Sequence, residues 1–445
     1  MRKKVCIIID NPIRDLQGLI LLSYFLVKKS MDVFLVPMST QQWDIFIIKP
    51  DVVILNYIRP ANCEFVKKYK GAGIKVGVLD TEGGVFVDIE QGFKNFVKNS
   101  YPENIDFYCT WGKKQKEILV NSGILSGNKV FVTGTPRYDM CVRPWRKALE
   151  KHNIEGEKVV LVNMRFPTIF PKFKRDLVVE YSDSLKEGVD KNYFSKAFRE
   201  NMIVCARLIE LVSESANKFP DYTFVVRPHP FERKDVYEVF FGDILNIKVI
   251  QEGDILGWLN SVDVIVQQGC TTGLEAKFMD TPVVEIDVAA SKDNRSIDIA
   301  EIADVKVSNA EQLAEFIKKP VKKSFDENMV RDWFFDIDGK ASQRISEVIN
   351  KFLGENLSQI SFYGLIRALT FKKVIVVIFS KIMGPKLYNI IKERVFQKKS
   401  GYDKCFFVKD VKDIFVRIIS SVSDKQEYDI SNCIGSFAVK VSKRG

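Results

Sequence analysis

Thr223-Phe224-Val225-Val226-Arg227-Pro228-His229-Pro230 is an apolar run that breaks off into a stiff polar tetrad. Each proline fixes its own φ, removes an amide donor and drives the preceding residue toward extended backbone. A guanidinium and an imidazole are thereby held at the end of a buried strand. The pattern repeats in both directions. Apolar runs at 5–9, 33–36, 52–55, 74–79, 106–109, 130–132, 159–162, 262–266 and 282–287 alternate with helix-like stretches such as 16–27 and 194–217. Strands without polar alternation, separated by helices, belong to parallel sheets covered on both faces. The expected fold class is α/β, with two Rossmann-like domains facing a central cleft.

A chain of 445 residues with 46% apolar side chains can build two or three cores. The expected boundaries are 1–145 and 146–350 for the two α/β domains, and 351–445 for a basic amphipathic extension. Between 361 and 400, nine bases oppose the single acid Glu393, which supplies +8 of the formal +10. The remainder is close to neutral, and this excludes a general polyanion- or nucleic-acid-binding role. The apolar run 371–379 is too short to span a bilayer. Bracketed by bases, it fits either peripheral attachment to an anionic membrane surface or a buried segment with a solvated rim. Eight scattered cysteines and a short first apolar run ending in Asp10 fit a reducing cytoplasm and no secretory leader. With only His152 and His229, a multi-histidine metal centre is excluded, and no tightly bound cofactor or metal is expected.

In parallel sheets, reactive groups gather beyond the carboxyl ends of the strands. Arg227 there can grip phosphate, and His229, near its ordinary pKa, can donate to or protonate a leaving phosphate; the bland reading is a packed turn. Gln267-Gln268-Gly269-Cys270-Thr271-Thr272-Gly273-Leu274-Glu275 also ends a strand and opens a helix. Gly269, Thr271 and Thr272 suit an anion at the positive helix end, and Glu275 suits a ribose. The same residues also read as a capping box with Thr272 as the cap and Glu275 at N3. Arg165 is a third candidate phosphate donor, with Lys172 or Lys174 reaching in from the segment 165–191, which is long enough to be a binding loop.

On the other side, Asp80-Thr81-Glu82-Gly83-Gly84 ends the run 74–79. One carboxylate could deprotonate an acceptor hydroxyl or attack an anomeric carbon; Glu82, freer in the loop, is the first choice over Asp80. An acidic turn is the bland alternative. Gly83 and Gly84 allow a sugar to approach, and Asp10, Asn11 and Arg14 frame the acceptor pocket. Thr133 to Asp139, including Gly134 and Arg137, reads as a structural linker.

Together the Arg-Pro-His-Pro transition, the Gly-Cys-Thr-Thr-Gly-Leu-Glu segment and the Asp-Thr-Glu-Gly-Gly loop resemble bacterial surface-carbohydrate glycosyltransferases. The resemblance covers roughly residues 1 to 350 and is to capsular and lipopolysaccharide enzymes that use CMP-activated ulosonic acids such as Kdo and nonulosonic acids. It implies GT-B architecture, a His-Pro contact to the CMP phosphate at His229-Pro230, a second phosphate contact at Thr271-Thr272, and a reactive carboxylate at Asp80 or Glu82. The chain departs from that pattern in having Cys270-Thr271-Thr272 where relatives show serines, and an Asp-x-Glu-Gly-Gly order. The expected partners are a CMP-sugar donor and a glycan or lipid-linked acceptor. Rival readings are transfer of polyol phosphate from a CDP-activated donor in teichoic-type synthesis, nucleotide-sugar epimerisation, and a non-catalytic assembly scaffold.

Overall fold

A computed structural model describes residues 2–60, 62–81, 97–172, 182, 191–288, 302–324, 326–354, 360–369 and 405–444. Glu82, Gly83, Gly84, Lys174, most of the segment 165–191, and the basic apolar stretch from 370 onward to 400 lie outside the described residues. The chain divides into two compact units, Met1–Leu149 with Asp326–Gly445, and Glu150–Phe325.

The first unit opens with β1 (Lys4–Ile9), buried over nearly its whole length because both faces of the sheet are covered. Asn11 then caps α1 (Pro12–Lys28): its side chain accepts the Arg14 N–H, while Pro12 enters the first turn, where no amide donor is needed. There follow β2 (Asp32–Pro37), α2 (Gln41–Ile48), β3 (Val52–Leu55), α3 (Cys63–Gly71), β4 (Lys75–Val78), β5 (Phe107–Thr110), α4 (Lys113–Asn121), β6 (Val130–Val132) and the short α5 (Pro136–Asp139). Gly18 allows α1 and α5 to touch, since a Cβ there would stand 2.7 Å from the Arg137 nitrogen. The linker expected at 133–139 is thus a packed helical turn of this unit.

The second unit contains β7 (Lys158–Asn163), α6 (Lys191–Lys218), β8 (Tyr222–Arg227), α7 (Lys234–Phe241), β9 (Ile247–Val249), α8 (Ile255–Leu259), β10 (Val264–Gln267), α9 (Thr272–Phe278), β11 (Val283–Ile286), β12 (Val305–Val307) and α10 (Ala310–Lys318). Its six strands are all parallel, in the order β12-β11-β10-β7-β8-β9. Chain direction across the sheet reverses between β7 and β10. The core is made of Val160, Val162, Phe224, Val226, Val264, Val266 and their helical neighbours. The α/β class expected from the sequence is what both units show.

The chain then returns to the first unit, which departs from the expected boundaries at 350 and 351. Asp326 caps α11 (Glu327–Phe334), and α12 (Ala341–Leu353) packs against α1. The carboxylate of Asp139 accepts the Ala341 and Ser342 N–H groups at 2.9 and 2.7 Å, satisfying orphan donors at the start of α12. Next, α13 (Phe362–Ala368) lies on α3, with Leu365 in the core. Finally α14 (Val408–Ser421), β13 (Tyr428–Asn432) and β14 (Val439–Lys443) complete the unit. β14 runs antiparallel to β2, with Val441 opposite Val33, giving the sheet order β13-β14-β2-β1-β3-β4-β5-β6. The described end of the chain is therefore integral to the first sheet instead of an appended extension.

Candidate functional site

Ligands of doubly wound sheets bind beyond the strand ends at the point where strand order reverses. In the second unit that point lies between β7 and β10, where Val162 pairs with Val266. Asn163, the last residue of β7, is buried, and its amide donates to Cys270 Sγ at 3.2 Å and Thr272 Oγ1 at 3.4 Å. Nothing in the sequence distinguished this asparagine from any polar residue closing a strand. Gly269 adopts φ +55°, in the left-handed region that favours glycine, and its N–H donates to the buried Glu285 carboxylate. Gln267 donates to the Cys270 carbonyl at 2.9 Å, and Gly273 makes room for it, since a Cβ there would lie 2.5 Å from Gln267 Nε2. Arg165 donates to both the carbonyl and the side-chain oxygen of Gln268, tying the β7 loop to the β10 loop.

The capping box expected at Thr272 and Glu275 is not formed. The cap residue is Thr271, whose exposed hydroxyl makes no capping bond, while Thr272 is turned inward to Asn163. Glu275, expected at a ribose, is buried on α9 and within electrostatic reach of Arg227.

Arg227 and Asn163 stand side by side at the ends of paired strands. Arg227 is only 5% exposed and donates to the Gly253 carbonyl at 2.6 Å. Burial draws its pKa down, against Asp254, Glu252 and Glu275, which favour the charged form. The guanidinium expected to grip phosphate is thus set inside the loop 252–254, and its charge reaches the strand ends from there. Trp258 supports the same loop, donating to the Glu252 carbonyl at 2.9 Å and stacking on His152 at 4.1 Å. His152 is part of that support.

His229 is half-buried, and its Nδ1 accepts the Phe231 N–H at 3.2 Å, so a neutral ring carries its proton on Nε2. Burial, and then the nearby Arg227 charge, push its pKa down to about 4. This corrects the expectation of an ordinary pKa: near neutral pH the ring is an uncharged donor rather than an acid. Pro230 follows at the turn. The carboxylate of Glu232 accepts the Phe166 N–H and the His229 N–H, the latter at 3.2 Å. Gln251 donates to the carbonyls of His229 and Glu232 at 2.7 and 2.9 Å. Lys172, a candidate phosphate donor, lies 3.5 Å from Gln251 Oε1.

In the first unit the strand order reverses between β1 and β3. Asp10 is buried at the end of β1; Arg14 makes two contacts to Asp15, at 2.7 and 2.9 Å, and reaches Thr81 Oγ1 at 3.5 Å. The Thr81 N–H donates to the Asn56 carbonyl at 2.6 Å, so Arg14, Thr81 and Asn56 converge. Asp80, with φ +48°, accepts a hydrogen bond from the Tyr108 hydroxyl, whose pKa burial raises.

No family model and no curated protein matches the chain. Solved structures similar to it include a putative UDP-N-acetylglucosamine 2-epimerase from Listeria monocytogenes, with 15% identity, 80% of this chain and 98% of that one covered, and a TM-score of 0.49. A UDP-GlcNAc 2-epimerase from Neisseria meningitidis bound to UDP-GlcNAc gives 14% identity, 78% and 100% coverage, and a TM-score of 0.46. The wall teichoic acid polymerase TagF gives 13%, 79% and 89%, and 0.49. At TM-scores below 0.5 these likenesses assign no activity to the chain. Among the described residues no cluster of three or more His, Cys, Asp and Glu side chains is arranged to hold a metal ion, and no helix is long and apolar enough to cross a membrane.

Proposed function

We propose that the chain is a nucleotide-sugar-dependent glycosyltransferase of surface-carbohydrate synthesis, of GT-B type, with the donor phosphate at the β7/β10 strand ends. The carrying observation is His229: a neutral imidazole, with Nδ1 engaged and the Nε2 proton available, held at a strand end next to a switch-point loop. A departing phosphate monoester is a weak base, so a fixed neutral donor stabilises its charge without surrendering a proton. Thr271 presents a further hydroxyl at the start of α9.

In its narrower form the reading takes a CMP-activated ulosonic acid as donor and a hydroxyl of a polysaccharide or lipid-linked glycan as acceptor. The acceptor stands at the Asp10, Asn11, Arg14 and Thr81 strand ends of the first unit. The Tyr108 bond occupies Asp80, which leaves Glu82 the first choice of base. The reaction is metal-independent, and the basic stretch 361–400 seats the protein on an anionic membrane surface.

Thermal stabilisation by CMP, CDP, UDP and GDP tests the site, since a ligand at 100 times its Kd adds about 2.7 kcal/mol. CMP is expected to stabilise most, and the shift should vanish in His229→Ala. Preference for UDP would overturn the ulosonate donor, and no shift with any of the four would overturn the nucleotide site. Turnover without an acceptor would replace transfer by epimerisation, and incorporation of polyol phosphate from a CDP donor would replace the glycosyl group.

A further inference from the structure

Glu232 is 0% exposed, yet it is a carboxylate with two buried tasks. One oxygen takes the N–H of Phe166, the residue after Arg165, and the other takes the N–H of His229. A single side chain thereby joins the loop leaving β7 to the loop leaving β8. Farther out, these loops are also paired through their backbones, Lys172 N–H to Phe231 O at 2.8 Å and Arg233 N–H to Phe170 O at 2.9 Å. Nearer the strands the Met164 N–H donates to the Arg227 carbonyl at 3.0 Å, and between these two backbone pairings Glu232 joins the segments that carry Arg165 and His229. Gln251 adds the loop after β9 by binding the carbonyls of His229 and Glu232.

The geometry points to Glu232 as the positioning residue of the anion site: its ionised carboxylate clamps the Arg165 and His229 loops together, and protonation opens the clamp and weakens anion binding. This rests on the reading of the site as a nucleotide-phosphate site. An ionised carboxylate offers both amides a charge-assisted acceptor, whereas protonation gives one lone pair to a proton and removes the charge, which weakens both bonds. Burial raises the Glu232 pKa to about 7, against the lowering effect of the Tyr237 hydroxyl, the two amide bonds and Arg165. The titratable groups facing it are Cys205 on α6, Tyr237 on α7, Arg165 after β7 and His229 in its own loop. His229, with its pKa near 4, keeps one charge state across the range in which Glu232 titrates.

The sign of the pH effect separates a clamp from a mere charge. A carboxylate acting only by repulsion would weaken anion binding when ionised, so acidification would tighten the complex. The clamp demands the reverse. Stability runs opposite to affinity. With the folded pKa above that of free glutamate, the contribution of Glu232 to stability is full at low pH and is lost as pH rises through about 7.

The test uses the full chain with CMP-N-acetylneuraminate, a phosphodiester, and UDP-N-acetylglucosamine, a diphosphate diester, neither of which has a phosphate proton to exchange near neutrality. Calorimetry on the wild type should show affinity falling about fivefold or more from about pH 8 to about pH 6. Glu232→Gln should bind about tenfold more weakly at pH 8, flat with pH, and melt no lower than the wild type, since it loses an acceptor but also a buried charge. Hydrogen exchange without ligand reads the clamp independently: peptides 163–172 and 227–233 should lose protection together in Glu232→Gln and in the wild type on acidification. Affinity that rises on acidification, wild-type affinity in the variant, or unchanged exchange in both peptides overturns the clamp. If the exchange result holds but neither nucleotide sugar binds, the nucleotide reading falls instead, and with it the assignment of Glu232 to an anion site.

Discussion

Lys277 on α9 and Asp304 before β12 form an ion pair at 2.5 Å, with side chains 7% and 1% exposed. Asp304 also accepts the N–H groups of Val283 and Lys323, each at 2.7 Å. Removing the lysine would leave a buried carboxylate without its countercharge, so Lys277→Met should cost about 3 kcal/mol in urea denaturation. A loss under about 1 kcal/mol would mean that the two amides alone suffice. His229 gives a second expectation at this scale. Its folded pKa of about 4 lies below that of free histidine. Its contribution to stability is therefore full above about pH 6.5 and is lost as pH falls toward 4. Its ring nitrogen resonances should keep neutral-imidazole values from about pH 8 to about pH 5.5, apart from a smaller drift as Glu232 titrates, with His152→Gln assigning the two histidines; conversion to imidazolium values with a midpoint near 6.5 would return His229 to the role of acid. Such details were only partly legible in the sequence. Pro228 and Pro230 advertise the His229 loop because they have no business inside a strand, whereas Asn163 and Glu232 are single polar residues that reach across the chain, Asn163 to Cys270 and Thr272 and Glu232 to Phe166.

At the scale of elements, apolar runs betrayed most strands, because a parallel strand buried on both faces has no polar alternation to confuse. β9 and β12 are three residues each and carry lysines, and β13 (Tyr-Asp-Ile-Ser-Asn) is a half-exposed edge, so their patterns resemble loops. The cap of α12 was equally illegible, since it is Asp139, two hundred residues upstream. Burial raises its pKa to about 6 even with two amide bonds lowering it. Asp139→Ala removes both bonds at the helix start and should cost about 1–2 kcal/mol. The contact of α1 with α5 gives a steric counterpart. Gly18→Val would drive a side chain into the Pro136–Arg137 backbone, where even a Cβ is too close, and should destabilise by about 2–3 kcal/mol. Unchanged denaturant midpoints would show that the two helices can separate freely.

At the scale of the whole molecule, the chain leaves its first unit at Leu149 and comes back at Asp326, so sequence order misplaces everything after that return. Charge counting made the region after 350 look like an appendage, because the bases between 361 and 400 dominate its composition. The residues that follow carry little net pattern, yet Val411, Phe415, Ile418, Val439 and Val441 are at most 1% exposed. Phe415 and Tyr428 pack edge-on at 5.1 Å, Tyr24 of α1 lies 6.2 Å from each, and its hydroxyl donates to Asp424 at 2.7 Å. Five such side chains represent about 10 kcal/mol of gross burial, comparable with the whole net stability of a domain. Truncation after Lys404 also bares the β2 edge, which now pairs with β14, and an unpaired edge invites association. The truncated chain should therefore aggregate or be cleaved rapidly within the first unit in limited proteolysis. A monomeric, protease-resistant truncation with unchanged melting would make the last forty residues an ornament on a sheet that closes without them.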